Sequence, residues 1–125
     1  MTLLGNAFSA GYPPQAAAKA EIKVITNENY DQAVVQSRGP MLVFFWATWS
    51  GPSKQQMPII QQIASDYAGK VTVGKVEADA NDLLLHRIGV SNIPQIRIYK
   101  DGKLVQTIEG LVPKKALTTA LSRYL

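Results

Sequence analysis

The sequence predicts an α/β fold, a central mixed sheet with helices packed on both faces, in the order β-α-β-α-β-α-β-β-α. Three observations predict it. Short β-rich runs alternate with stretches of helical periodicity along most of the chain. One run, MLVFFWA at residues 41–47, is apolar without alternation, as in a strand covered on both faces. YKDGKLV at residues 99–105 sets Asp-Gly between two β-rich runs, a strong hairpin signal.

Taken in order, residues 1–20 carry Gly5, Gly11, Pro13, Pro14 and three successive alanines. They are expected to form a flexible arm ahead of one domain at residues 21–125. The first basic residue is Lys19, so the basic start of a secretory signal is missing. A cleaved targeting segment stays the second reading of this arm. Residues 22–26 read as a short strand and residues 27–36 as a helix with Tyr30, Ala33 and Val34 on one face. Arg38-Gly39-Pro40 breaks the chain before the apolar strand. A helix from Pro52 to Tyr67 places Ile60, Ile63, Ala64 and Tyr67 on one stripe. Pro52 suits its first turn, and Pro58 inside it predicts a kink. KVTVGKVEA reads as the third strand, and residues 81–88 as a short helix stopped by Gly89. The hairpin follows, and a last helix starts near Pro113 with Leu117, Ala120, Leu121 and Tyr124 inward. The right-handed crossovers that join parallel strands put the end of the apolar strand, where a helix begins, at the edge where open α/β sheets place their sites.

Composition narrows the partners. With 125 residues, 46% of them hydrophobic and 18% charged, the chain suits one globular domain. The net charge of +4 is scattered and Lys114-Lys115 is its densest basic pair, so no nucleic-acid stripe is present. The longest apolar run is too short to span a bilayer, so no membrane partner is expected. No surplus apolar helix face is visible, which makes a monomer the expectation. There is no cysteine and one histidine, His86, so no metal site or cofactor is expected. A hydrolytic serine would need a base and an oxyanion hole. His86 has no motif tying it to a serine, and the Gly-x-Ser-x-Gly elbow is absent.

The run FWATWSGPSK at residues 45–54 carries the sharpest signal. Together with Pro58, GVSNIPQ at 89–95, YKDGKLV at 99–105 and IEGLVPK at 108–114, it resembles the thioredoxin family across residues 21–125. The resemblance implies the thioredoxin fold and a Trp-Cys-Gly-Pro-Cys-Lys active site, with Ser50 and Ser53 at the two redox cysteines. It implies active-site support from Trp46, Trp49, Gly51, Pro52, Lys54 and Lys75. It also implies substrate docking over Trp49, Gly51, Pro52, Ile93, Pro94 and Gly110, with Pro94 in a cis peptide bond. Protein disulfides would be the substrates, a thioredoxin-recharging reductase the second partner, and the cytoplasm the compartment.

The chemistry explains the spacing. Two thiols separated by two residues at a helix start can close a small disulfide ring, and the helix's free N–H groups favour a thiolate. That thiolate attacks a substrate disulfide, and the second thiol resolves the mixed disulfide. Serine forms no disulfide and has no redox couple, yet it matches cysteine in size and can cap the helix. One departure stands out: Phe44 occupies the place of a buried aspartate that in the family moves a proton for the resolving thiol. Lys75 is thereby left without its carboxylate. Two readings follow: a disulfide reductase whose cysteines were both replaced by serine for study, or a natural cysteine-free module that binds proteins on the same fold.

Overall fold

A computed structural model describes residues 21–125; the expected arm at 1–20 lies outside the described residues. Five strands form one sheet: β1 (Ile22–Val24), β2 (Pro40–Trp46), β3 (Thr72–Glu77), β4 (Gln95–Lys100) and β5 (Lys103–Glu109). Their spatial order is β1-β3-β2-β4-β5. β1, β3 and β2 run parallel, and β4 and β5 run antiparallel to their neighbours. The helices are α1 (Asp31–Val35), α2 (Gly51–Asp66), α3 (Asp82–Ile88) and α4 (Lys114–Leu121), with a 3₁₀ turn at Asp79–Asn81 leading into α3.

The central strand explains its own composition. Met41, Val43, Phe45 and Ala47 face one core layer, with Tyr30 and Val34 of the α1 region and Leu84 and Leu85 of α3. Leu42 and Phe44 face the other layer, with Ile60 and Ile63 of α2 and Leu117 and Leu121 of α4. Both faces of β2 are covered, so successive residues are all apolar rather than alternating.

α1 is shorter than the periodicity predicts. Polar side chains ahead of it claim the backbone: Thr26 N–H donates to Asn29 Oδ1 at 2.8 Å, and Asn29 Nδ2 donates to the Val24 carbonyl at 3.0 Å. Asn27 is tied across the chain, its N–H donating to Asn81 Oδ1 at 2.9 Å and its Oδ1 accepting from Leu84 N–H at 2.8 Å. Such side-chain bonds compete with regular helix, and the segment ends in a wide turn in which Gln36 N–H reaches back to the Asp31 carbonyl at 3.0 Å.

The hairpin turn between β4 and β5 uses Asp101 at φ 53° and Gly102 at φ 82°, the paired positive angles a two-residue turn needs. Asp101 bonds Gly39 twice, accepting its N–H at 2.7 Å and donating its own N–H to the Gly39 carbonyl at 3.0 Å. Gly102 lies so close to the Val35 carbonyl that a Cβ there would collide with it.

Register brings the loops together. Phe45 of β2 sits opposite Gln95 of β4, which sits opposite Glu109 of β5. The segments that follow β2, precede β4 and follow β5 therefore leave the sheet at one end. They carry Ser50, Pro94 and Gly110.

Candidate functional site

The site is built on the start of α2. Ser50 is its N-cap, in extended conformation at φ −98° and ψ 112°, and its Oγ accepts the Ser53 N–H at 3.2 Å. The Ser50 carbonyl accepts the Lys54 N–H at 3.1 Å, which starts the helical ladder. Pro52, which has no N–H to leave unpaired, falls in this first turn. Gly51, Pro52 and Lys54 are exposed, whereas Ser50 is 6% and Ser53 0% exposed. Ser53 Oγ is fully enclosed and has no hydrogen-bond partner among the described residues.

Trp49 stands out from this turn at 67% exposure, its indole N–H directed at both Asp79 carboxylate oxygens at 3.0 and 3.1 Å. Asp79 is fixed in turn, because the Glu77 carboxylate accepts the N–H groups of Asp79 at 3.2 Å and Ala80 at 3.0 Å. The exposed ring is thus braced from beneath by the end of β3. On the Pro94 side, the Ile93–Pro94 peptide bond is cis, the geometry the resemblance implies. Pro94 is buried and its carbonyl accepts the Gly110 N–H at 2.9 Å, joining two of the expected docking segments directly. Gly110 has φ 84°, a conformation that suits glycine, and Ile93 packs on the α1/α3 layer.

Beneath the turn, Phe44 is wholly buried in the α2/α4 layer and in register with Lys75 of β3. Lys75 points its ammonium over the Trp46 ring, 5.9 Å from the centroid, a cation–π contact in place of an ion pair. The Trp46 indole N–H is buried with no partner among the described residues. His86 is exposed on α3. Among the described residues no group of three acidic, histidine or cysteine side chains could hold a metal. No helix of the described residues is long and apolar enough to cross a membrane.

Sequence reasoning missed Gln56. Its side-chain amide donates to the Val112 carbonyl at 3.1 Å and its Oε1 accepts the Val112 N–H at 2.9 Å. This two-way bond holds the Gly110–Val112 segment against α2, one turn after Ser53. The signal was present: Ser53, Gln56, Ile60 and Ile63 are spaced 3, 4 and 3 apart, so a lone amide sits on the buried stripe.

A Ser50-capped helix start, an exposed Gly51-Pro52 turn between two buried serines and a cis-proline loop at the same end of the sheet make up the candidate site. The thioredoxin family model matches residues 21–123. The chain is 38% identical over 105 residues to the chloroplastic M-type thioredoxin of Zea mays, an alignment covering 84% of this chain and 63% of the maize protein. It is 39% identical over 101 residues to thioredoxin 1 of Synechococcus elongatus, covering 81% of this chain and 94% of that one. Against the thioredoxin of Pyropia yezoensis it is 34% identical over 104 residues, covering 83% and 97%. The chain belongs to the thioredoxin family. Its relatives are thioredoxins, and the chain itself contains no cysteine.

Proposed function

We propose that this chain presents the substrate-docking surface of a protein disulfide reductase without the thiols that would perform the exchange. Ser50 and Ser53 occupy the redox positions. Trp49, Gly51, Pro52, Ile93, Pro94 and Gly110 receive an extended protein segment, which pairs with backbone beside Pro94. The cysteine-bearing form would take disulfide-bonded proteins as substrates and a thioredoxin-recharging reductase as its second partner. In that form a thiolate at position 50 would attack one substrate sulfur and release the other as a thiolate. A second thiolate, at position 53, would then attack the sulfur at position 50 and free the remaining substrate thiol. The step leaves a disulfide between positions 50 and 53, two electrons having passed to the substrate. A monomer in the cytoplasm belongs to the same proposal.

The observation that carries this reading is the orphaned hydroxyl of Ser53. A hydroxyl is a strong hydrogen-bonding group, and enclosing one without a partner costs about 1–3 kcal/mol. A thiol is a weak donor and packs as a small apolar group, so the same pocket would hold cysteine at little cost. The missing partner at Ser53 thus favours a thiol there in the active form.

The test is the double variant Ser50→Cys, Ser53→Cys. It is expected to form a reversible disulfide between the two positions and to reduce insulin with a dithiol donor, where the parent chain is inert. A folded double variant that forms no such disulfide under oxidation, or that leaves insulin intact, overturns the reading.

A further inference from the structure

The α1/α3 core layer contains a charge that the expected site does not use. Arg97 lies in the middle of β4 between Ile96 and Ile98 and is only 8% exposed. Burying a cation is costly unless it is paired, and among the described residues neither ion pair includes it. Its compensation is assembled from partial charges. Arg97 Nε donates to Gln95 Oε1 at 2.8 Å and Nη2 to the Gly89 carbonyl at 3.4 Å. The guanidinium also lies over the Phe45 ring, 5.8 Å from its centroid.

The two polar partners have one thing in common. Gly89 closes α3 in the left-handed conformation, and Gln95 is the first residue of β4. Between them run residues 90–94, the segment that ends in Ile93 and Pro94. Arg97, itself held in β4 two residues beyond Gln95, therefore ties the Gly89 carbonyl to the strand that ends this loop, while the Gln95 side chain orients the guanidinium. The gripped ends are bonded onward: Val90 N–H donates to the Leu85 carbonyl at 2.8 Å, and the Pro94 carbonyl accepts from Gly110 at 2.9 Å. Gln95, in register with Glu109, carries the same restraint into β5.

We propose that Arg97 is a positioning residue for the docking loop. By fixing the separation of Gly89 and Gln95, it holds the backbone of Ile93 and Pro94 where an extended segment can pair with it. The tether stands on geometry alone, and its consequence for docking rests on the function proposed above. A hydrophobic residue here would fill the layer and leave the loop ends untied. A lysine, with one point of charge on a flexible stem, would reach one end at most.

The experiment separates tether from docking. Hydrogen exchange of the Val90 and Gly110 amides reads the two loop ends in the full chain. Arg97→Met is expected to speed both by at least about tenfold, and Arg97→Lys to restore no more than one, while β2 amides change little. Ile98→Val, a truncation on the opposite face of the same strand, is expected to affect the loop amides no more than those of β2. If Arg97→Met speeds all amides alike, or none, or if Ile98→Val reproduces its pattern, the tether is wrong.

For docking, each variant is combined with Ser50→Cys. The rate of mixed-disulfide formation is measured with a disulfide-bonded peptide and with a small aromatic disulfide. Arg97→Met is expected to slow the peptide reaction by about tenfold and leave the small disulfide unchanged. Equal slowing of both, or of neither, removes the positioning role. A parent Ser50→Cys chain with no preference for the peptide would instead count against the docking surface itself, with the exchange data still deciding the tether.

Discussion

At the scale of single residues, Ser50 and Ser53 look alike in sequence and differ in structure. Ser50 has work for its hydroxyl, the Ser53 N–H, and Ser53 has none among the described residues. Ser50→Ala is therefore expected to cost about 1 kcal/mol, as a lost helix cap does. Ser53→Ala is expected to be neutral or stabilising by up to about 1 kcal/mol, because it removes an unsatisfied buried group. Urea unfolding of the two variants checks the opposite signs. Phe44 poses a sharper trade. On the cysteine-restored background, Phe44→Asp should cost about 3–5 kcal/mol, as a large-to-small core change does. It should also speed mixed-disulfide resolution by about tenfold, if a carboxylate there acts as a base. Lys75 sits in register and, among the described residues, its ammonium is engaged only with the Trp46 ring, so it is able to turn to the new carboxylate. Thermal unfolding and rapid mixing measure the two effects, and a lower melting temperature with unchanged resolution would remove Phe44 from the proton-transfer position. Tyr30 gives the pH dependence. Burial above all, then its bond to the Tyr99 hydroxyl at 2.9 Å, raises its phenol above the ordinary 10.0, against a smaller lowering by Arg97 and Arg87. The folded chain keeps a proton that the unfolded chain releases. This contribution is complete below about pH 10 and is lost as pH rises beyond it. Tyr30→Phe should flatten the alkaline decline in stability, which chemical unfolding at stepped pH would reveal.

At the scale of elements, the site depends on contacts made by segments that are not themselves reactive. α2 supplies the capped turn, and one turn later its Gln56 holds Val112 by two bonds ahead of α4. Gln56→Leu keeps the volume and strands both Val112 backbone groups, so a loss of about 1–3 kcal/mol is expected. The same change should loosen the Gly110 side of the docking surface, seen as faster exchange of the Gly110 and Val112 amides. If those amides are unaffected while stability falls, Gln56 matters to packing alone. The helices on the other face contribute differently. α3 ends at Gly89, which Arg97 grips, and the α1 region places Tyr30 edge-on to Tyr99, ring centroids 6.4 Å apart at 73°. One layer thus fastens the Gly110 segment and the other the Pro94 segment.

At the scale of the whole molecule, the sequence made the layer order legible because β2 is apolar at every position, which only a doubly covered strand tolerates. The hairpin was legible through Asp101-Gly102, and the site through the spacing around Gly51-Pro52. Element ends were less so. The α1 helix expected from Asn27 begins only at Asp31, since Asn29 bonds back to Thr26 and Val24 and Asn27 bonds across the chain to Asn81 and Leu84, distant partners that no local pattern announces. Arg97 and Gln56 escaped for the same reason. Each is a polar residue inside an apolar pattern, and the backbone groups it satisfies belong to loops on other elements. The glycine at the hairpin tip carries one more consequence, for anyone who wishes to open or extend this chain. Because Gly102 abuts the Val35 carbonyl and Asp101 is bonded to Gly39, the tip is a keystone and not a free end. An epitope or a new chain terminus grafted there would prise α1 from the sheet. The turn at Gly69 is not wedged in this way: a Cβ there would meet no atom within 4 Å, but its φ of 83° strains any other residue, so a graft there should keep the glycine and insert beside it.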